Sequence, residues 1–276
     1  MPLAIACTAS YPYQINVIFY YFQKFYFTFA PYHQYYSMNV FDLVITDKEQ
    51  VLLNDIFLRK DNKDQIIQFI KEHQYIDQIQ TLGLPVNNKI LLSGSSGCGK
   101  TTTAKAIANA LGKNIYILNL SNIVCSRIGE TSQNLKIIFD KAGREKAILF
   151  LDEFDQIGKA RGGDDKDVGE MRRLVNTLIQ LMDYYPSKAI LIAATNHAHI
   201  IDQALLRRFQ LSIQYSLPTN DELDIYYNKL LSQFPNHLQS IIRNYGISYA
   251  EAKDQAYNQV KSRFIALLET ESNVPG

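Results

Sequence analysis

Residues 94–101, which read Gly-Ser-Ser-Gly-Cys-Gly-Lys-Thr, constrain the fold more than any other stretch of this chain. They follow the pattern G-x-x-x-x-G-K-[ST]. Residues 89–93 before them predict a short buried strand, and residues 101–111 after them repeat apolar residues on one face of a helix. Three glycines allow a tight turn with inward backbone N–H groups, and a helix start adds partial positive charge. The stretch therefore predicts a loop that binds phosphate groups.

The residues of this loop have separate expected roles. Lys100 is expected to reach the β- and γ-phosphates of a nucleotide, and the Thr101 hydroxyl to ligate Mg²⁺. The alternative is an ordinary glycine turn with a surface lysine. The expected nucleotide-binding residues are Gly94, Ser95, Ser96, Gly97, Cys98, Gly99, Lys100, Thr101 and Thr102.

Strands and helices are predicted to alternate along the chain. Apolar runs at residues 114–120, 147–151 and 189–194 predict strands, and patterns of helical period separate them. A further helical pattern covers residues 61–82. Residues 158–167 predict a charged, solvated loop. The alternation predicts an α/β fold whose parallel sheet is covered by helices on both faces, with the carboxyl ends of its strands along one edge.

Polar side chains follow two of these strands. Asp152 ends one strand, and its carboxylate is the expected partner of Mg²⁺ beside Thr101. Glu153 comes next and is the candidate general base that polarises an attacking water molecule. Asn196 ends the neighbouring strand, where a neutral amide holds water or the γ-phosphate. The alternatives are a solvated strand exit for the two acids and a simple turn for the asparagine.

Two arginines follow the last of these strands. Arg207 and Arg208 end a short helical segment, where they could cap its carboxyl end. The functional alternative is an arginine finger, a cation placed against the transferring phosphoryl group, which contributes roughly 10³- to 10⁵-fold in rate.

These motifs together resemble those of the AAA ATPases. The motifs are Gly94–Thr101, Ile148–Asp155, Ala193–Asn196 and Leu205–Phe209, in that order. The resemblance runs from about residue 61 to residue 268, and Leu82–Pro85 is similar to compact single-module bacterial members.

The resemblance implies a role for each site residue. Lys100 and Thr101 correspond to Walker A, and Asp152 and Glu153 to Walker B. Asn196 corresponds to the first sensor, and Arg208 to a finger that acts on a neighbouring subunit. It also implies ATP and Mg²⁺ as cofactors and a homo-oligomer, usually a hexameric ring, that acts on a protein client.

Four positions depart from the family pattern. Ser95 and Ser96 stand where the family usually has two prolines, and they keep backbone donors that proline lacks. Leu211 occupies the place of a second arginine found in many members. Arg127 occupies the place of a pore-loop aromatic residue, so polypeptide threading is in doubt while ATP hydrolysis is not.

The sequence divides into three expected parts. Residues 1–47 are an atypical Tyr/Phe-rich segment, residues 48–218 the α/β nucleotide-binding domain, and residues 219–276 a small all-helical lid. Three lid helices are expected, marked by Ile225, Leu230 and Leu231, by Leu238, Ile241 and Ile242, and by Tyr249, Ala252, Ala256, Val260, Phe264 and Leu267. Ser248–Ala250 either approaches adenine or only packs, and no lid arginine corresponds to a second sensor.

The aromatic segment at residues 1–37 has three interpretations. It is a weakly ordered tail, an arm that binds a membrane surface or a partner, or a product of start-site choice with Met38 as the true first residue. The last is favoured. The apolar run is shorter than a spanning helix and lacks the preceding basic residues of a signal peptide.

Composition narrows the class of protein. Of 276 residues, 47% are hydrophobic and 20% charged, which indicates a soluble globular chain. A net charge of +1 gives no signal for nucleic acid or membrane binding. Three widely spaced cysteines favour a reducing cytoplasm. His197 and His199 lack further ligands at metal-binding spacing.

The sequence therefore predicts an Mg²⁺-dependent ATPase that couples hydrolysis to movement of a lid or ring and remodels a protein client. One alternative is a non-hydrolytic ATP-dependent switch or interaction module, which would have no need of Glu153. Another is a phosphotransferase that acts on a small acceptor, although no acceptor pocket is evident in the sequence.

Overall fold

The computed structural model describes residues 43–47, 49–121, 128–159 and 165–272. The Tyr/Phe-rich segment 1–37, Met38 and the pore-loop position Arg127 lie outside these residues. The strands of the described part are β1 (Val44–Thr46), β2 (Lys89–Gly94), β3 (Ile115–Asn119), β4 (Ile148–Asp152), β5 (Ile190–Thr195) and β6 (Leu211–Tyr215). Its helices are α1 (Lys60–Gln74), α2 (Ile76–Thr81), α3 (Lys100–Leu111), α4 (Ile128–Arg144), α5 (Gln156–Lys159), α6 (Asp165–Asp183), α7 (Gln203–Leu206), α8 (Asn220–Leu231) and α9 (Tyr249–Ser272).

The six strands form one sheet in the order β1-β3-β4-β5-β2-β6. Strands β2 to β6 run parallel to one another. The edge strand β1 pairs with β3 in the antiparallel direction. In the register, Asn119 lies opposite Asp152, and Ser93 lies opposite Thr195. The carboxyl ends of these strands therefore meet at one edge of the sheet, as the sequence predicts.

Helices cover both faces of the sheet. Leu149 and Leu151 of β4 pack in one cluster with residues of α4 and α6. Ile148 and Phe150 of the same strand pack in a second cluster with residues of α1 and α3. Alternate residues of a strand point to opposite faces, so β4 is apolar throughout because both of its faces are buried. The predicted α/β sandwich is confirmed.

The carboxyl-terminal part is helical and has its own small core. Its buried apolar residues are Leu223, Tyr227, Leu231, Leu238, Ala252, Ala256 and Val260. Helix α8 begins with a reciprocal cap, because the Thr219 side chain accepts from the Glu222 N–H at 3.3 Å and the Glu222 carboxylate accepts from the Thr219 N–H at 2.8 Å. This cap satisfies two backbone donors at the helix start.

The prediction of a second lid helix around Leu238, Ile241 and Ile242 is wrong. Only a 3-10 turn at Asn236–Leu238 forms, and residues 239–248 are not helical. The Gln259 side chain accepts from the Ile242 N–H and donates to the Ile242 carbonyl, each at 2.8 Å. Since a side chain of α9 pairs this backbone, the segment satisfies its polar groups without helical hydrogen bonds.

Other elements also differ from the sequence prediction. The pattern at residues 61–82 forms two helices, which part at Tyr75. Both ends of the loop expected at residues 158–167 are helical, because α5 extends to Lys159 and α6 begins at Asp165. The two edge strands β1 and β6 were not predicted. Of the helices in the described residues, none has the length and apolar character needed to cross a membrane.

Candidate nucleotide site

The glycine loop joins the end of β2 to the start of α3. At Gly94, where φ is +132°, a Cβ atom would lie 2.0 Å from the Tyr215 carbonyl oxygen of the adjacent strand β6. At Gly97, where φ is +71°, a Cβ atom would lie 2.4 Å from the Ser248 hydroxyl. Side chains are excluded at both positions, so the backbone of the loop stays close to the sheet on one side and to the lid on the other.

Lys100 is held by three acceptors at the start of α3. Its Nζ atom donates to the carbonyl oxygens of Gly94 at 2.7 Å and Ser95 at 2.8 Å, and to the Asn196 side-chain oxygen at 2.7 Å. Its side chain is buried, and burial lowers the pKa of its ammonium group. The nearby acidic groups raise this pKa and so partly offset the effect of burial. The contact with Asn196 joins two residues that the sequence assigns to one site.

The acidic pair at the end of β4 has an unusual backbone. Asp152 accepts a hydrogen bond from the Glu153 N–H at 2.9 Å. Burial raises the pKa of the Asp152 carboxyl, while that hydrogen bond and the charge of Lys100 act in the opposite direction. Glu153 has a φ of +52°, a left-handed conformation that is uncommon outside glycine. Such strain is concentrated at functional sites, where the surrounding structure holds it in place.

Asp155 positions the turn that carries Asn196, a contribution that sequence reasoning missed. The buried Asp155 carboxylate accepts from the Thr195 hydroxyl at 2.9 Å. The same hydroxyl accepts from the His197 N–H at 2.9 Å. These two bonds flank Asn196 and link the chain after β4 to the chain after β5. The signal available in the sequence was the position of Asp155 three residues after Asp152.

Most of the expected site residues border a single cavity of about 520 Å³. Those that line it are Ser96, Gly97, Cys98, Gly99, Lys100, Thr101, Thr102, Asp152, Glu153 and Asn196. Gly94 and Ser95 are not among the lining residues, but their carbonyl oxygens accept from Lys100. The structure thus brings the loop and the ends of two strands to one cavity.

Arg208 lies outside the cavity of its own chain. Its Nε and Nη2 atoms donate to the two oxygens of Asp183 at the end of α6, at 3.1 and 3.2 Å. Its Nη1 atom donates to the Ala204 carbonyl oxygen at 2.7 Å. It is absent from the residues that line the cavity. Within one described chain, Arg208 therefore does not contact the loop.

Aromatic residues form one end of the cavity, and the sequence did not indicate two of them. Phe57 precedes α1, Tyr226 lies in α8 and Tyr249 begins α9, and all three line the cavity. The ring centroids of Phe57 and Tyr226 are 4.9 Å apart, and those of Tyr226 and Tyr249 are 5.0 Å apart. The Ala250 N–H donates to the Gly97 carbonyl at 3.2 Å. The lid therefore contacts both the loop and the segment that precedes α1.

Charged groups connect the lid to the same segment. The Lys229 Nζ atom donates to the Asn54 carbonyl at 3.1 Å and pairs with Asp55 at 2.9 Å. Lys253 of α9 lines the cavity, whereas Arg243 pairs with Asp224 inside the lid. The lid cation at the cavity is therefore a lysine, which the sequence prediction did not identify.

The side-chain atoms that line the cavity determine which metal ion it could bind. No group of three or more His, Cys, Asp or Glu residues that could hold a metal ion occurs among the described residues. Thr101 and Asp152 do offer hydroxyl and carboxylate oxygens on the same cavity. Mg²⁺ is usually bound through one or two such oxygens together with substrate phosphates rather than by an all-protein cage.

The sequence of this chain is similar to those of known ATPases. Residues 90–217 match the family model described as ATPase family associated with various cellular activities (AAA). The chain is 36% identical over 165 residues to an uncharacterized AAA family ATPase, y4kL, from Sinorhizobium fredii, an alignment that covers 60% of this chain and 50% of that protein. It is 32% identical over 184 residues to the ATP-dependent zinc metalloprotease FtsH from Helicobacter felis, with coverage of 64% and 29%. The chain thus matches half or less of the length of these relatives.

A solved structure agrees with the fold. The crystal structure of the FIGL-1 AAA domain superimposes with a TM-score of 0.67, covers 89% of this chain and 85% of that one, and shares 18% sequence identity. That similarity supports the fold. The family match thus shows that residues 90–217 of this chain are similar to the AAA family of ATPases.

Proposed function

We propose that this chain is an Mg²⁺-dependent ATP hydrolase whose site is completed by a neighbouring copy. One observation carries the proposal: Lys100, Thr101, Asp152, Glu153 and Asn196 all border the same cavity of about 520 Å³. They come from a loop and two strand ends that are far apart in the sequence. The set supplies a phosphate-binding cation, metal-binding oxygens, a candidate base and a neutral amide.

The loop and Lys100 would bind the phosphates. The amide groups at the start of the 12-residue helix α3 carry the partial positive charge of a helix start. Lys100 already has three oxygen acceptors in place, so its ammonium group suits exchange of one of them for a phosphate oxygen. Burial increases the strength of that charge interaction.

Thr101 and Asp152 would hold Mg²⁺ through their oxygens, and Glu153 would act as the general base. When bound, the metal neutralises charge that develops on the phosphates. Glu153 follows Asp152 directly, and its backbone has a left-handed conformation. Glu153 would take a proton from water that attacks the γ-phosphate, and Asn196 would orient that water through its amide.

The aromatic end of the cavity suits the adenine base. Phe57, Tyr226 and Tyr249 line the cavity there, and flat rings stack favourably with each other. Of the expected residues Ser248–Ala250, Tyr249 and Ala250 line the cavity, which supports the adenine alternative over plain packing. A base held between lid and core would link nucleotide binding to the lid position.

Arg208 would act on the nucleotide of a neighbouring copy. It does not line the cavity of its own chain, and its side chain, which pairs with Asp183, is partly exposed. A second subunit is therefore needed to bring an Arg208 side chain to a nucleotide. This arrangement supports a homo-oligomer, with a hexameric ring as the form that the family resemblance implies. Remodelling of a protein client and a cytoplasmic location belong to the same proposal.

Phosphate release tests the hydrolytic assignment. Wild-type protein is expected to release phosphate from ATP only with Mg²⁺, and Glu153→Gln is expected to bind ATP and lose turnover. Asp64→Asn makes the same carboxylate-to-amide change at an exposed site on α1 outside the cavity and should retain full activity. ATP binding by the wild type without phosphate release at any protein concentration would favour the non-hydrolytic switch instead.

A further inference from the structure

Glu49 borders the nucleotide cavity, but the proposed hydrolysis assigns it no role. It lines the same cavity of about 520 Å³ as Lys100 and Thr101. Its side chain is 65% exposed. One carboxylate oxygen, Oε2, accepts from the Lys105 Nζ atom at 2.6 Å, and no described residue donates to the other, Oε1. Glu49 therefore has an oxygen that is available to a ligand in the cavity.

Lys105 of α3 holds the Glu49 carboxylate in place. Its Nζ atom pairs with Asp47 and Glu49, each at 2.6 Å, and its own side chain is mostly buried. Burial acts to lower the pKa of the Lys105 ammonium group, but the hydrogen bonds to the two carboxylates raise it above its ordinary value. The Asp47 carboxylate also accepts from the Glu49 N–H at 2.7 Å. The backbone and the side chain of Glu49 are thus both anchored.

The anchor places Glu49 close to the phosphate loop. Lys105 follows Thr102 by three residues on α3, and residues at this spacing are neighbours on one helical face. Thr102 lines the cavity and directly follows Lys100 and Thr101, which are expected to bind the phosphates and the metal. Glu49 therefore lies beside the first turns of α3, about one helical turn beyond the phosphate loop.

From Glu49 the chain continues to the aromatic end of the cavity. We call residues 49–57 the strap. The Val51 carbonyl accepts from the Asn109 side chain at 3.1 Å, which holds the strap against α3. Phe57, the last residue of the strap, lines the aromatic end that the proposed function assigns to adenine. The strap therefore borders the cavity from the side of the phosphate loop to the side of the base.

We propose that Glu49 accepts a hydrogen bond from a ribose hydroxyl of bound ATP, so that the site distinguishes ribonucleotides from deoxyribonucleotides. The inference rests on the proposed function, because it takes the phosphates and the base to occupy the two ends of the cavity. The ribose joins these two groups and therefore lies between them, where the strap leaves α3. Dinucleotide-binding folds also use a carboxylate as the acceptor for a ribose hydroxyl. Lys105 is a positioning residue for this contact.

The strap carries a second acidic residue at the cavity, which differs from Glu49 in its position. Asp55 also lines the cavity and pairs with Lys229 of the lid at 2.9 Å. The Lys229 Nζ atom lies 5.4 Å from the centre of the Phe57 ring. Asp55 is therefore at the aromatic end, whereas Glu49 is beside α3. In both cases a lysine offsets a negative charge that would otherwise repel the phosphates of a nucleotide.

Binding of three nucleotides tests this proposal, with Glu153→Gln as the parent protein because it is expected to retain ATP. Isothermal titration calorimetry in Mg²⁺ compares ATP with 2′-deoxy-ATP and 3′-deoxy-ATP. The analogue that lacks the bonded hydroxyl should bind the parent about two- to tenfold more weakly than ATP, which is the effect of one hydrogen bond. Glu49→Ala, added to the parent, should remove this difference between the nucleotides.

The ratio of the affinities, rather than either affinity, separates recognition of the ribose from a structural role. A structural defect would weaken the binding of all three nucleotides equally and leave the ratio unchanged. Asp55→Ala is the matched control, since it also removes a lysine-paired carboxylate from the cavity, and it should keep the ratio of the parent. Lys105→Ala should lower the ratio, and Lys105→Arg, which retains the cation, should restore most of it.

Each contrary outcome has a defined meaning. Equal binding of ATP and both deoxy analogues by the parent would overturn the ribose assignment and leave the hydrolytic proposal intact. The assignment also fails if Glu49→Ala keeps the ratio of the parent, or if Asp55→Ala removes it, because the acceptor would then lie elsewhere in the cavity. A parent that does not bind ATP would overturn the proposed function itself.

Discussion

The Nζ atom of Lys100 donates to the side-chain oxygen of Asn196 at 2.7 Å, although the two residues are 96 positions apart in the sequence. This hydrogen bond joins the glycine loop at the start of α3 to the end of β5. It places the predicted phosphate-binding cation and the predicted sensor amide in direct contact. A change at either residue should therefore affect both nucleotide binding and turnover.

The first prediction concerns Asn196→Ala. A hydrogen bond to a charged group contributes about 1.5–3 kcal/mol, so ATP turnover should fall about 10- to 150-fold. The measurement is the steady-state rate of phosphate release. Asn62→Ala is the control, since that half-buried amide on α1 donates to the Gln214 carbonyl and does not line the cavity. Equal rates for Asn196→Ala and the wild type would contradict the assigned role.

The contact between loop and lid predicts a difference between two glycine variants. Gly97 and Gly83 have nearly equal φ values of +71° and +72°, but a Cβ atom meets Ser248 only at Gly97 and nothing within 4 Å at Gly83. Both alanine variants should lose about 1–2 kcal/mol of unfolding free energy from backbone strain. Gly97→Ala should lose more, and should also weaken ATP binding. Urea unfolding and nucleotide titration measure the two effects, and equal losses would contradict a close loop–lid contact.

Burial of Asp152 predicts a trade between stability and activity. Its pKa is raised mainly by desolvation, so the folded state holds its proton more tightly than the unfolded chain does. Its ionised form therefore destabilises the fold at neutral pH, and this penalty disappears as the pH falls below the ordinary aspartate pKa of 3.8. Asp152→Asn should unfold at higher urea concentration than wild type at pH 7 and should lose Mg²⁺-dependent turnover.

The pH dependence supplies the control for that prediction. The stability difference between Asp152→Asn and wild type should narrow as the pH is lowered toward the usual range of an aspartate. A difference that stays constant with pH would show that charge burial is not its cause. Lower stability of the amide variant at pH 7 would contradict the prediction directly.

The pair formed by Arg208 and Asp183 predicts separate effects on activity and stability. Arg208→Ala should lower turnover by roughly 10³- to 10⁵-fold, and its subunits should inhibit mixtures with wild type. Asp183→Ala should lower the free energy of unfolding by no more than about 1 kcal/mol, because a partly exposed ion pair contributes little. Specific activity of wild type should rise with protein concentration; activity that is unchanged by dilution in a verified monomer would contradict a finger supplied by a neighbour.

Much of the fold follows from periodicity in the sequence. Strand β4 is apolar on both faces, and its buried run predicts a central parallel strand. Strands β1 and β6 lie at the two edges of the sheet. Edge strands have a partner on one side only, so short or alternating patterns such as that of β6, with Ile213 and Tyr215 buried, give a weak signal. In place of the second lid helix, the backbone at Ile242 hydrogen-bonds to the Gln259 side chain. The local sequence pattern does not contain this tertiary contact.

The site was predictable where its residues follow one another in a motif. Lys100 and Thr101 belong to the loop, and Asp152 and Glu153 directly follow an apolar strand. Phe57 and other aromatic residues reach the cavity only because the lid folds back on the segment before α1.

Oxygen-18 tracing of phosphate release tests the central claim most directly. Wild-type protein with ATP and Mg²⁺ in ¹⁸O-labelled water should release phosphate that carries oxygen from the water, since Glu153 is proposed to activate that water for attack. Glu153→Gln should bind ATP and release almost none. Unlabelled phosphate, transfer of the phosphate to another molecule, or equal release by Glu153→Gln would contradict hydrolysis at this site.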